Sequence, residues 1–302
     1  MASSPGDATP QGPLTTIDRN TMYLITGATG NTGADLVQQL HDGGHAVRAY
    51  IRNPEKASQF HEGVEIAIGD LDNAEALLAA AEGVDVIFFM QADPIPAQAQ
   101  NVVNAAKAAG VGRIVVLSSI GTVIHPRPVI GAMINARDDV LRESGLAITY
   151  LRPNTLASNA LWWRNSIAEQ GRVYDPTGEG LTSPIDTYDI ARVVVAVMTE
   201  PGHEGHGYIL NGPQALSAKE QVETLADVLG RNIEFVPVTP AEFAEENIRR
   251  GIPESQARGL QNLQELFRAG RSGILADDVT NLTGIAPRTF RTWCENHRAD
   301  FN

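Results

Sequence analysis

The chain has 302 residues, 43% of them hydrophobic and 20% charged, the proportions of an ordinary globular protein with room for one large core or a main domain and a smaller lobe. A formal charge of −13 disfavours nucleic acid and anionic membranes as partners, and no stretch approaches the roughly 20 consecutive apolar residues of a membrane helix. The single cysteine, Cys294, excludes an internal disulfide and suits a reducing compartment, so a cytoplasmic protein is expected.

Residues 1–21, rich in Ser, Pro and Gly, lack the apolar segment of a secretory signal; a disordered tail is expected, with Met22 as an alternative start. Tyr23-Leu24-Ile25-Thr26 then reads as a short strand that stops at glycine. A helix over 34–40 places Leu36, Val37 and Leu40 on one face and ends at Gly43-Gly44. Strands are expected over 46–51 and 64–68, an alanine-rich helix over 74–81, and a strand at Val86-Ile87-Phe88-Phe89. A long helix over 96–109, a strand over 113–117 and a sixth strand over 146–151, ending at Arg152-Pro153, complete the first half. Continuous apolar strands separated by helices belong to a parallel sheet buried on both faces, and right-handed crossovers make it an α/β, doubly wound, Rossmann-type domain over 22–152.

The second half is less regular. Ser217-Ala218-Lys219-Glu220 forms a capping box opening a helix with Val222, Leu225, Ala226 and Leu229 on one face, closed by Gly230. A short strand over 233–236 and helices near 240–249, 253–268 and 287–297 suit a smaller, mostly helical lobe over the carboxyl edge of the sheet.

The first strand leads into Gly27-Ala28-Thr29-Gly30-Asn31-Thr32-Gly33, a dinucleotide-binding turn in its full strand–turn–helix context. Gly27 permits the tight turn, Gly30 admits a pyrophosphate to the backbone, and Gly33 lets helix and strand pack closely, with the anion on the helix N-terminus. The second strand ends in Arg52 with Lys56 beyond, where an NAD site would carry Asp or Glu. Arginine suits a 2′-phosphate, so NADP(H) is the expected cofactor. Asp70 and Leu71, closing the third strand, are expected at the adenine; Asp72 alternatively caps the next helix.

These stretches, together with Val115-Val116-Leu117-Ser118-Ser119, Thr149-Tyr150-Leu151-Arg152-Pro153-Asn154, Asp186-Thr187-Tyr188-Asp189-Ile190-Ala191 and Tyr208-Ile209-Leu210-Asn211-Gly212-Pro213, resemble the NmrA-like group of atypical short-chain dehydrogenases/reductases from Met22 onward. That group includes NADP(H) sensors, quinone oxidoreductases and triphenylmethane reductases. The resemblance implies that 186–212 return to the Rossmann sheet and that the remainder of 153–302 builds the substrate lobe. It also implies that Phe88, Phe89, Met90, Gln91, Ser118, Ser119, Pro153, Asn154 and Thr155 surround the nicotinamide.

Reduction of a simple ketone needs a proton donor, usually a tyrosine with a lysine four residues on. None of the six tyrosines has one, and where some relatives place a lysine the chain has Ile134 or its neighbours; no lysine occurs between Lys107 and Lys219. Hydride transfer to a quinone-like or conjugated aromatic carbonyl acceptor, which needs little acid catalysis, is the leading expectation. The alternatives are a non-catalytic redox sensor bound to a partner protein, and a biosynthetic reductase or isomerase acting on a polycyclic intermediate. Ser119 and His125 are the candidate catalytic groups; Gln91, His125, Asn159, Trp162 and Trp163 are the candidate substrate contacts. His203-Glu204-Gly205-His206 has metal-like spacing without a third ligand, so no metal is expected. Assembly as a homodimer is left open.

Overall fold

The computed structural model describes residues 21–301; the tail expected over 1–21 lies outside them except for Thr21. In chain order, the first half runs β1 (Met22–Thr26), α1 (Asn31–Asp42), β2 (Ala46–Ile51), β3 (Glu65–Ile68), α2 (Ala74–Ala81), β4 (Val86–Phe89), α3 (Pro96–Ala109), β5 (Arg113–Leu117), α4 (Val129–Arg142) and β6 (Ala147–Pro153). There follow α5 (Arg164–Gln170), β7 (Arg172–Asp175), β8 (Leu181–Thr182), α6 (Thr187–Thr199), β9 (Gly207–Leu210), β10 (Leu216–Ser217), α7 (Ala218–Leu229) and β11 (Glu234–Pro237). The chain closes with α8 (Pro240–Arg249), α9 (Glu254–Arg268), α10 (Asp278–Thr283) and α11 (Phe290–Asn296).

Seven parallel strands form the central sheet in the order β3-β2-β1-β4-β5-β6-β9. The chain leaves β1 toward one edge and resumes at β4 on the other side, so a crevice opens at the carboxyl ends of β1 and β4, where ligands of such sheets bind. Strand alternation divides the core. Ile25, Phe88 and Val115 face α1 and α6 with Leu36, Val37, Leu40, Ile190 and Val194. Leu24, Ile87, Phe89 and Ile114 face the other layer with Leu77, Val102 and Leu141. A third cluster, with Val173, Val222, Leu225, Phe290 and Trp293, lies in the second half.

Burial on both faces fails at β3, which pairs only with β2 and exposes Ile66 and Ile68. Helix α1 begins at Asn31, three residues earlier than the apolar periodicity suggests, because Gly30 serves as its N-cap without a side-chain bond. The last turn of the chain does not all lie over the crevice. Residues 278–288 dock on α6 and β9: Asp278 accepts the Ile209 amide (2.7 Å), and Asp189, fully buried, accepts the Arg288 amide (2.6 Å). No helix among the described residues is long and apolar enough to cross a membrane.

Candidate functional site

Two cavities open along the carboxyl edge of the sheet. The first, about 340 Å³, lies over β1, β2 and β4 and is lined by Gly27, Thr29, Gly30, Arg52, Asp70, Leu71, Met90 and Gln91, all expected from the sequence. Its floor is stitched by Thr26, whose hydroxyl accepts the Met90 amide and donates to the Met90 carbonyl, each at 2.8 Å. This bond fixes the end of β4 against the β1 turn.

The turn fits a pyrophosphate. Gly27 has φ +64°, and a Cβ added at Gly33 would stand 2.1 Å from the Gly27 carbonyl oxygen, so only glycine lets α1 approach this closely. The first turn of α1 holds no acidic residue and no capping side chain. The amides of Asn31, Thr32 and Gly33 have no hydrogen-bond acceptor among the described residues, leaving donors at the positive end of a twelve-residue helix. The side chains of Asn31 and Thr32 line neither cavity: Asn31 is exposed and Thr32 is buried in the packing of α1, so their expected contribution reduces to the backbone.

At the other end of this cavity Arg52 projects into solvent, 76% exposed, held among the described residues only by Asp70 at 3.7 Å. Lys56 stands on the same wall. Tyr50, not among the residues expected from the sequence, also lines it; its hydroxyl donates to the Asp70 carbonyl (2.9 Å), fixing the loop that carries Asp70 and Leu71. Burial, reinforced by the Asp70 charge, pushes the Tyr50 phenol up to about 12, so it remains a donor. Asp72 caps nothing: Asn73 caps α2 through the Ala76 amide, and Asp72 accepts Gln98 Nε2 (3.1 Å).

The second cavity, about 220 Å³, lies beyond the ends of β5 and β6 and is lined by Ser119, Asn154, Asn159, Trp162 and Trp163 from the expected set. Trp162 is 71% exposed at its rim. Ser119 also caps a short 3-10 turn, accepting the Gly121 amide (3.1 Å). Asn154 is fully engaged by the second half of the chain: its Nδ2 donates to the Ser272 carbonyl and its Oδ1 accepts the Ser272 hydroxyl, both at 2.8 Å. Ile134 stands in this wall, at the position where some relatives are expected to carry lysine, and among the described residues the wall holds neither tyrosine nor lysine.

Phe88, buried in the α1–α6 layer, and four further expected side chains stand away from both cavities. Phe89 is fully buried in the sheet's α2–α3 layer, with the Arg137 guanidinium 5.5 Å from its ring centroid, because alternation turns it opposite to Phe88. Ser118 points into the interior and donates to Asp138 Oδ2 (2.5 Å). Asp138 also holds Arg137 (2.7 Å), and Arg137 reaches the Leu117 carbonyl (3.1 Å), so a buried ion pair anchors α4 to the end of β5. Burial pushes the Asp138 carboxyl up, opposed by Arg137 and Ser118. Pro153 is buried at the end of β6, and His125 is exposed on a loop, lining neither cavity. His203 and His206 pack on Tyr208 and Glu204 pairs with Arg113, which accounts for their spacing as turn structure.

Residues 27–201 match the family described as NAD(P)H-binding. The chain is 34% identical over 284 residues to an NAD(P)H azoreductase of Xenophilus azovorans, covering 93% of this chain and 99% of that protein. It has the same identity and coverage with a (4-alkanoyl-5-oxo-2,5-dihydrofuran-3-yl)methyl phosphate reductase of Streptomyces griseus subsp. griseus. The crystal structure of an NADPH-dependent quinone oxidoreductase from Escherichia coli complexed with NADPH matches with TM-score 0.81 and 26% identity, over 91% of this chain and 99% of that one.

Proposed function

The chain belongs to the NAD(P)H-binding family, as an NmrA-like atypical short-chain dehydrogenase/reductase, and from that premise we propose that it is an NADPH-dependent oxidoreductase acting on a quinone-like or conjugated aromatic carbonyl substrate. The observation that carries this reading is the second cavity: it adjoins the carboxyl end of the sheet, and its wall joins indole and aliphatic surface to amides, hydroxyls and the carboxyl of Asp175.

The dinucleotide would lie along the first cavity, its pyrophosphate on the amides opening α1 and its adenine against Asp70 and Leu71. Arg52 and Lys56 would hold the 2′-phosphate, Arg52 by turning from a weak, exposed pair with Asp70. Met90, fixed through Thr26, and Gln91 would border the nicotinamide, whose reduced form supplies a hydride. Ser119, Asn159, Trp162 and Trp163 would contact the acceptor, the indoles covering a flat ring and the hydroxyl and amide orienting its oxygens. A quinone accepts hydride with its charge delocalised into the ring, so the product can take its proton from water, consistent with a wall that holds isoleucine in place of lysine.

The test is NADPH oxidation with a panel of benzo- and naphthoquinones. Saturable turnover with at least one supports the assignment. Confirmed NADPH binding without turnover of any member overturns it in favour of a sensor.

A further inference from the structure

One residue of the second cavity's wall can carry a charge. It is Asp175, the last residue of β7. The turn that follows holds one carboxyl oxygen: Oδ1 accepts the Thr177 amide (2.8 Å) and hydroxyl (2.5 Å). Oδ2 has no hydrogen bond or ion pair among the described residues. The charged neighbours are engaged elsewhere. Arg172, on the same strand, pairs with Glu234 of β11 (2.7 Å), and Tyr174 donates to Gln170 (2.8 Å). Arg268 of α9 directs Nη1 to the Pro176 and Val238 carbonyls (3.1 and 3.4 Å), and Glu179 is exposed beyond the turn. With no cation to oppose it, burial pushes the Asp175 carboxyl above its ordinary range, against the two bonds from Thr177.

Helix α9 faces the same space with Leu260, Leu263, Gln264 and Phe267, a helical spacing that puts one polar group in an apolar stripe. The Oε1 of Gln264 has no hydrogen-bond partner. Its Nε2 is likewise without a hydrogen bond among the described residues, so that amide can meet a donor or an acceptor, and the one-sided group of the cavity is Oδ2 of Asp175. A bound molecule that brings a donor or a positive charge satisfies that oxygen, whereas an anion would meet a carboxyl in low-dielectric surroundings. The overall charge of −13 adds a long-range field of the same sign.

We propose that Asp175 determines the specificity of the substrate cavity, selecting conjugated acceptors that carry a hydrogen-bond donor or positive charge and rejecting anionic ones. The proposal rests on the second cavity being the acceptor site.

The experiment compares three naphthoquinones: unsubstituted, bearing trimethylammonium, and bearing sulfonate. Each is measured as an acceptor with NADPH. Each is also titrated as a ligand of the NADP+-saturated protein by quenching of tryptophan fluorescence, with a Trp162→Phe, Trp163→Phe variant as control. Wild type should bind the cation about tenfold more tightly than the sulfonate, and Asp175→Asn should bring the two within about twofold. In wild type the preference should grow as pH rises and Asp175 ionises; in Asp175→Asn it should be flat. Equal affinities in wild type above pH 7, a preference unchanged in Asp175→Asn, or no quenching by any quinone would overturn the proposal. If Asp175→Asn does not fold, the wild-type pH series decides alone. If the quinones bind with the stated selectivity yet none is reduced, the charge selection stands and the proposed reaction fails.

Discussion

Replacing Arg52 with aspartate should separate the two nicotinamide dinucleotides without unfolding the protein. The side chain is 76% exposed and its ion pair with Asp70 is 3.7 Å long. An exposed pair of that kind contributes about 0–1 kcal/mol, so Tm should barely move. Toward the cofactor the loss is larger, because a hydrogen bond to a charged group is worth about 1.5–3 kcal/mol and about 1.4 kcal/mol is tenfold in affinity. NADPH should therefore bind about 10- to 100-fold more weakly, with the upper end favoured because the new carboxylate repels the 2′-phosphate. NADH has no such phosphate and should change by no more than about twofold. Calorimetric titration of both dinucleotides at low and at physiological ionic strength is the assay, since screening should shrink the NADPH effect at higher salt. Equal losses for NADPH and NADH, or an unchanged NADPH affinity, would refute the assignment of Arg52.

Gly33→Ala should lower Tm by several degrees and weaken both dinucleotides alike, because its Cβ would stand 2.1 Å from the Gly27 carbonyl oxygen and force α1 away from the turn; overpacking of this kind costs about 1–3 kcal/mol. Cys294 is fully buried beside Trp293 and its thiol is pushed up to about 12 by burial, so a thiol reagent should label it only on unfolding; rapid labelling of the native protein would contradict the packing. The raised Asp175 carboxyl makes a stability prediction with a definite sign. The folded state holds that proton more tightly than the unfolded chain, so its contribution is most favourable below the ordinary aspartate value of 3.8 and is lost as pH rises through the raised folded value. Asp175→Asn should accordingly gain Tm relative to wild type at neutral pH and lose that advantage near pH 4; melts across this range would show the opposite slope if the carboxyl were stabilised as an anion.

The sheet was legible because its strands carry the mark of two-sided burial. Val86-Ile87-Phe88-Phe89 has no polar face to give away to solvent, and the structure buries all four residues. The glycine turn was legible for a related reason, since backbone proximity at Gly33 leaves no other residue type. The same alternation, applied one step further, would have placed Phe88 and Phe89 in the two helix-covered cores on opposite faces of the sheet and turned Ser118 inward while Ser119 reaches the cavity. His125 follows the fifth strand closely in the chain, but its loop leaves the ring exposed. Asp175 and Gln264 carried no local signal. Their wall is assembled from β7, α7, α9 and the segment after β6, and contact between segments nearly a hundred residues apart is a property of the packing. The spacing of Leu260, Leu263, Gln264 and Phe267 did mark an inward helix face, though not what it would face.

The central claim is that a nicotinamide bound along β1 and β4 delivers hydride to an acceptor in the cavity walled by Ser119, Asn159, Trp162 and Trp163. Stopped-flow oxidation of NADPH deuterated at the transferring position of C4, with naphthoquinone as acceptor, tests it most directly. The predicted result is loss of reduced nicotinamide matched one for one by quinone reduction and slowed by deuterium. Reduced nicotinamide that binds and persists in the presence of every quinone would contradict it.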